Sequence, residues 1–257
     1  MINLLDHGSI ELVETWGSDE AIIRAARMST NKGFLGWRKC QACGAVDSRT
    51  TDCPQNASGL HSMVPQDEKL LRYLGGHDHA TPFEMAGATF EVKAPIFVFR
   101  EWHRHRTQSY NELSSRYTPL PDENYVPDAE LVWERARTAL NTRNKQARAA
   151  AEDFVPLDKN NIESWLTDVR SYYRGVQELY ERGLGYGVPK ELARIVLPVA
   201  RYSRMRAQAN LRNWLAFLRL RNAPSAQYEI RVYAEALQAM LAEKFPRTME
   251  LFSELGR

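Results

Sequence analysis

Residues 83–116 read FEMAGATFEVKAPIFVFREWHRHRTQSYNELSSR, and the rest of the chain can be read outward from this stretch. Its first part alternates, with Ala88, Phe90 and Val92 on one side of an extended segment. That period of two belongs to a strand with one buried face, expected over 83–93. Pro95 then stands as a first helical residue, a place where its missing N–H costs nothing. A helix from there carries Ile96, Phe97 and Phe99 inward and delivers Glu101, Arg104 and His105 towards its C-terminal end. Beyond it come Arg106, Ser109, Asn111, Glu112, Ser114 and Arg116. Such a concentration of cations, in a chain with a formal net charge of +2, indicates a dedicated anion site rather than a generally basic surface.

Upstream, Ile10 to Trp16 alternates as a strand. Ser18 is placed to cap a helix with Asp19 and Glu20 in its first turn and Ile22, Ile23 and Ala26 along it. Residues 30–65 lose periodicity and read as a long loop insertion. Glu68 to Leu74 resumes a helical pattern. Downstream, the prolines within 117–127 impose a loop. Helices are expected over 128–153, 162–182, 189–196, 209–221 and 225–245. The second of these is clearly amphipathic, with Trp165, Val169, Tyr172, Val176 and Leu179 near helical spacing. Trp165, Tyr172, Tyr173 and Tyr180 read as core aromatics. No repeat or linker marks a second unit. The expected fold is therefore α+β: one domain over 1–257, a central, mostly antiparallel sheet packed by helices, and an insertion at about 30–65.

Composition narrows the functional classes. A near-neutral charge argues against bulk attachment to nucleic acid or to a membrane surface. No apolar run approaches the roughly 20 residues that span a bilayer. MINLLDHGSIE lacks the pattern of a secretory signal, and three cysteines fit a reducing cytoplasm. From Leu192 to Tyr228 there are seven arginines and no acidic residue. Arg201, Arg204 and Arg206 fit an ion-paired or solvated helix face, since residues 204 and 206 cannot both face one ligand from a regular helix. His77 and His79 read as capping or loop residues rather than a metal pair. Cys40-x-x-Cys43-Gly44 has knuckle spacing, and Cys53 with His61 could complete a structural zinc site. The second knuckle is missing, so three reduced thiols in a surface loop is the preferred reading.

Arg104-His105-Arg106, seven residues and Ser114, extended through NELSSRY, resembles the signature of the flavin-dependent thymidylate synthases. The resemblance also takes in AARMST (25–30) and the chain from about Asp67 onward. It implies transfer of a methylene from 5,10-methylenetetrahydrofolate to C5 of dUMP, with FAD as cofactor and NADPH as reductant, giving dTMP. It further implies a homotetramer whose sites are shared between subunits. For dUMP it points to Glu101, Arg104, Glu112, Leu113, Ser114, Ser115 and Arg116, with Arg194 (in KELARIVLP) reaching from a neighbouring subunit. Arg221, in FLRLR, matches the catalytic arginine that favours ionisation at N3 of the uracil. For FAD it points to His79, Thr81, Arg104, His105, Arg106, Thr107, Glu112, Asn210, Leu211 and Arg212. Two positions depart from the family's pattern: Ala216 where some members have Asn, and Ser225 where some have His. Ser114 is not read as a nucleophile, because no activating histidine lies at an evident offset.

Two other functions compete. The same chemistry could act on UMP or another pyrimidine nucleotide, because a phosphate grip is blind to the ribose 2′-OH. A zinc-knuckle plus arginine-helix module could instead bind single-stranded nucleic acid, with Arg201-Tyr202-Ser203-Arg204 as its best support.

Overall fold

The alternating stretch becomes the middle strand of a five-stranded antiparallel sheet. A computed structural model describes residues 1–47, 63–141 and 158–256. In chain order its first half comprises β1 (Ile2–Leu4), β2 (Gly8–Trp16), α1 (Asp19–Arg27), β3 (Arg38–Cys40), β4 (Met63–Pro65), α2 (Asp67–Gly76), α3 (Thr81–Glu84), β5 (Gly87–Pro95), α4 (Ile96–Trp102) and β6 (Ser109–Glu112). The second half comprises α5 (Ala129–Asn141), α6 (Lys159–Gly185), α7 (Lys190–Ala193), β7 (Tyr202–Asn210), α8 (Leu211–Arg221), α9 (Tyr228–Lys244) and α10 (Pro246–Glu254). The sheet order is β1-β2-β5-β7-β6.

Register explains the layers. β5 pairs with β7 from Gly87↔Asn210 to Pro95↔Tyr202, and β6 joins β7 through Ser109↔Gln208 to Glu112↔Met205. Because side chains alternate across a strand, Ile10, Phe90, Val92, Met205 and Ala207 all fall on one buried face. Helices α4, α8 and α9 cover that face with Trp102, Trp214, Phe217 and Tyr233. Phe90 meets Trp214 edge to face at 5.1 Å, and Trp102 lies 4.6 Å from Phe217. Gly87 must be glycine, since a Cβ there would run into the Trp16 ring and the Ala209 carbonyl. The opposite face of the sheet carries Glu91, Arg204 and Arg206.

The α+β architecture and the central antiparallel sheet are as expected, but several boundaries and faces differ. Residues 81–84 form a helical turn with Pro82 near its start, so the strand begins at Gly87 rather than 83. Pro95 is the last strand residue and the N-cap of α4. That helix ends at Trp102 and buries Val98, Phe99 and Trp102, so Arg104 and His105 sit in the following loop. Segment 202–210 is a strand, which the sequence analysis did not foresee. Arg204 and Arg206, two apart on a strand, therefore share one face, and both pair with Glu91. The helix-based argument about them fails, though the ion-paired reading holds. Arg201 is different: it is fully buried. Its guanidinium donates to the Pro121 carbonyl (2.6 Å), Asp122 (3.0 Å) and Gln177 (2.8 Å).

Part of the insertion is ordered. β3 and β4 form an antiparallel ribbon, Arg38↔Pro65 to Cys40↔Met63. It is pinned at its base by buried Asp67, which accepts from Leu35 N–H at 2.6 Å and pairs with Arg27. His77 is the C-cap residue of α2, with Nδ1 2.9 Å from the Tyr73 carbonyl, in keeping with a capping role. The helix expected over 128–153 is described as far as Asn141, and the rest of it lies outside the described residues. Pro246 opens α10 directly after α9. Tyr180 is buried, but Trp165 and Tyr172 are exposed, against the expectation of core positions. No described helix is long and apolar enough to cross a membrane.

Candidate active site

Helix α8 organises one group of expected residues. Asn210 caps it, its side-chain oxygen accepting from Asn213 N–H at 3.0 Å. Asn213 in turn donates to the Thr107 carbonyl at 3.0 Å, which ties the 103–108 loop to the start of the helix. Further along, the Phe217 ring supports His105 edge-on at 4.8 Å. At the helix end Arg221 makes three bonds. Its Nε donates to His105 Nε2 (2.9 Å), and its two terminal nitrogens donate to the Glu101 carboxylate (2.7 Å) and the Glu101 carbonyl (2.9 Å). A guanidinium is a donor only, so Nε2 of His105 must be the unprotonated nitrogen and the imidazole must be neutral. Burial, followed by the Arg221 charge, lowers the His105 pKa from 6.5 to about 4. The loop behind it is fixed by the Trp102 indole N–H donating to Gln108 (3.1 Å) and by Tyr110 OH donating to the His105 carbonyl (2.7 Å).

The sign of the His105 shift makes a prediction. A group whose folded pKa is depressed stabilises the fold fully above its unfolded value and loses that contribution as pH falls through the folded value. His105 should therefore make the protein progressively less stable from pH 6.5 down to about 4. Urea unfolding between these limits should show a shallower loss for His105→Gln than for the parent. Identical slopes would mean that His105 titrates normally.

A second group lies beyond the end of β6. Ser115 is buried and its hydroxyl accepts from the Arg194 guanidinium at 2.7 Å. Arg116 Nε donates to Glu191 at 3.0 Å, and Lys190 Nζ donates to the Tyr117 carbonyl at 2.9 Å. The Ser114 hydroxyl accepts a long bond from Arg116 N–H, 3.4 Å. Leu113 and Glu112 are exposed at the end of the strand. Among the described residues no hydrogen bond or ion pair joins this group to the Arg221 group. Ser109 and Ser114 alone are separated by five residues of nearly extended chain, roughly 16 Å.

The residues expected at FAD are dispersed around α8. His79, Arg212 and Ala216 line one pocket of about 330 Å³ whose walls include Leu74, Phe83 and Leu251. Arg212 donates to Glu84 at 2.8 Å, and Thr81 is exposed as the first residue of α3. Arg104 and Arg106 are exposed and make no side-chain hydrogen bond or ion pair among the described residues. Leu211 is wholly buried, so its side chain faces the core and not a flavin. Ala216 leaves its part of the pocket wall without an amide, and Ser225 is exposed in the turn after α8. A largely apolar pocket beside α8, with two uncommitted guanidiniums on the loop that Asn213 ties to the start of that helix, fits a group that combines flat rings with a pyrophosphate. Sequence reasoning missed Asn213, Tyr110 and Glu191. Only Asn213 had a local signal, three residues after a helix cap. Cys40 is buried on β3 and Cys43 is exposed in the following turn, while Cys53 and His61 lie outside the described residues. No metal-holding group of His, Cys, Asp or Glu occurs among the described residues.

Known proteins resemble this chain over nearly its whole length. Residues 11–247 match the family described as thymidylate synthase complementing protein. The chain is 36% identical over 263 residues to the flavin-dependent thymidylate synthase of Rickettsia prowazekii, covering 98% of this chain and 78% of that one. With the enzyme of the same name from Thermus thermophilus it shares 38% identity over 253 residues, with the same coverage. A solved UMP/dUMP methylase, PolB from Streptomyces cacaoi bound with 5-Br UMP, superposes with a TM-score of 0.71 at 31% identity. The match covers 97% of this chain and 95% of PolB. Fold, motif and whole-chain similarity converge, and the chain belongs to the thymidylate synthase complementing protein family, that of the flavin-dependent thymidylate synthases.

Proposed function

We propose that the protein methylates dUMP to dTMP, using 5,10-methylenetetrahydrofolate as carbon donor and NADPH as reductant through bound FAD. The observation that carries this reading is the Arg221–Glu101–His105 cluster at the end of α8, set within the Arg-His-Arg loop. The three bonds to Arg221 fix a cation before any ligand arrives. Beside a uracil ring, that cation stabilises the negative charge that develops when N3 loses its proton, and so makes C5 nucleophilic. The second group serves as the phosphate grip. Glu191 on Arg116 and Ser115 on Arg194 hold both guanidiniums extended, and a nucleotide phosphate takes over as the anionic partner. Glu101, Glu112, Leu113 and Ser114 complete the nucleotide contacts.

FAD supplies the hydride that converts the transferred methylene to a methyl group. His79, Thr81, Arg104, His105, Arg106, Thr107, Glu112, Asn210 and Arg212 would hold it, with the guanidiniums of Arg104 and Arg106 available for its phosphates. A complete site takes Arg194 and its neighbours from another copy, in a homotetramer, a reading supported by the absence of any hydrogen bond or ion pair between the ring-facing and phosphate-facing groups among the described residues.

Protein loaded with FAD and freed of the excess should keep a visible flavin band that bleaches with anaerobic NADPH. It should then form dTMP from dUMP and the folate. A colourless protein would overturn the reading and mark Ala216 and Ser225 as signs of a lost flavin site. The solved UMP/dUMP methylase supports a second reading in which UMP is also a substrate. Equimolar dUMP and UMP in the same assay part the two, since a dUMP-specific site leaves UMP unmethylated.

A further inference from the structure

Helix α8 turns one side towards the pocket that it shares with α10 and the segment between α2 and α3. Arg212, Leu215, Ala216 and Arg219 all line that pocket, and their spacing puts them on one face of the helix. Asp78 lines it from the α2–α3 segment. The charged groups differ in what they are already doing. Arg212 is committed to Glu84 at 2.8 Å. Arg219 makes no side-chain hydrogen bond or ion pair among the described residues. Ala216, about one turn before Arg219, offers the wall nothing beyond a Cβ, so no polar group of its own and no bulk in the way of a longer neighbour.

We infer that Arg219 is a further ligand-binding residue, donating to the edge of a flat ring of bound FAD in the space that Ala216 leaves open. The inference rests on the reading of the protein as an FAD enzyme. A guanidinium is a donor only, so its partner must be an acceptor. A phosphate is the usual choice, but the Asp78 carboxylate in the same pocket would repel it. A ring suits the site better. The walls of Leu74, Phe83 and Leu251 take its faces, and a space of about 330 Å³ admits it. The polar edge of such a ring carries acceptors next to N–H donors, and Arg219 with Asp78 supplies the complement of both. Isoalloxazine and adenine each have an edge of this kind. Arg104 and Arg106 remain for the phosphates that join them.

Flavin-free protein titrated with FAD, followed by the change in flavin fluorescence, tests the inference without turnover. Arg219→Ala should bind FAD about tenfold more weakly, the loss of one hydrogen bond from a charged donor. Arg219→Lys should recover part of that loss, since it keeps the charge without the planar fork. Leu220→Ala is the control, an exposed neighbour that does not line the pocket, and should bind FAD as the parent does. Parent-like affinity in Arg219→Ala would overturn the inference and leave the flavin reading standing, because an arginine that only solvates the helix contributes nothing to binding. An equal loss in Leu220→Ala would also overturn it, by showing a loosened helix. A parent that binds no FAD would overturn both. The potential of the bound flavin then tells the two rings apart. A more negative potential in Arg219→Ala places the contact on the isoalloxazine, whose reduced form a nearby cation stabilises. Weaker binding at an unchanged potential places it on the adenine.

Discussion

Arg221→Ala should lower dTMP formation by about 10²–10³-fold, the range seen when one preorganised electrostatic donor is removed from an active site. Reduction of the bound flavin by NADPH should stay close to that of the parent. On the proposed role the two readouts separate, because the side chain would act on the uracil ring and not on the transfer of electrons into FAD. The structure adds a reason for the size of the effect. Removing the guanidinium takes away three hydrogen bonds at once and leaves the half-buried Glu101 carboxylate without its cation. That carboxylate would then face the position where negative charge develops, reversing the field there. Arg221→Lys keeps the charge but lacks the planar fork that reaches both Glu101 and His105, so it should recover only part of the rate. Single-turnover measurement with pre-reduced flavin decides the matter. Parent-like turnover in Arg221→Ala would remove Arg221 from the chemistry.

The same residue shows what could and could not be read from sequence. The role expected of it came through resemblance, and its place at a helix end followed from the apolar spacing of 209–221. Its partners were not legible. Glu101 and His105 are 120 and 116 residues away, and only the packing of α8 beside the loop after α4 brings them together. The central strand was legible because period-two burial is a local signal. β7 was not, because its exposed positions are Arg204, Arg206 and Gln208, and arginines two apart on a strand look like a scattered helix face when the neighbouring strand is unknown. Glu91, which pairs with both, lies on β5. The aromatic residues of α6 failed for a related reason. Amphipathicity shows that a helix has an apolar stripe, but Trp165 and Tyr172 lie on a second stripe that is exposed in the described structure. A sequence read as a single subunit assigns every aromatic to one core.

The largest effect expected from a mixture concerns the separation of the two groups. Arg194→Ala should weaken dUMP binding strongly, since hydrogen bonds to charged groups are each worth about 1.5–3 kcal/mol, and Arg221→Ala should be nearly inactive as argued above. Alone, each variant carries its lesion in every site. If a site takes its ring-facing residues from one copy and Arg194 from another, mixing changes the arithmetic. Equal amounts of the two variants, dissociated and reassembled together, leave roughly a quarter of the sites with both arginines intact under random assembly. Activity at subsaturating dUMP should then rise well above that of either parent variant. If Arg194 instead serves the Arg221 of its own chain, every site keeps one lesion and mixing recovers nothing. The proposed division of the site predicts the first outcome: Arg194 is engaged with Ser115 beyond the end of β6, while Arg221 is held by Glu101 and His105 at the end of α8. No hydrogen bond or ion pair among the described residues bridges the two. A site divided in this way has a physical advantage. Neither half of such a site could grip the nucleotide at both its ring and its phosphate, so assembly itself would create the binding site.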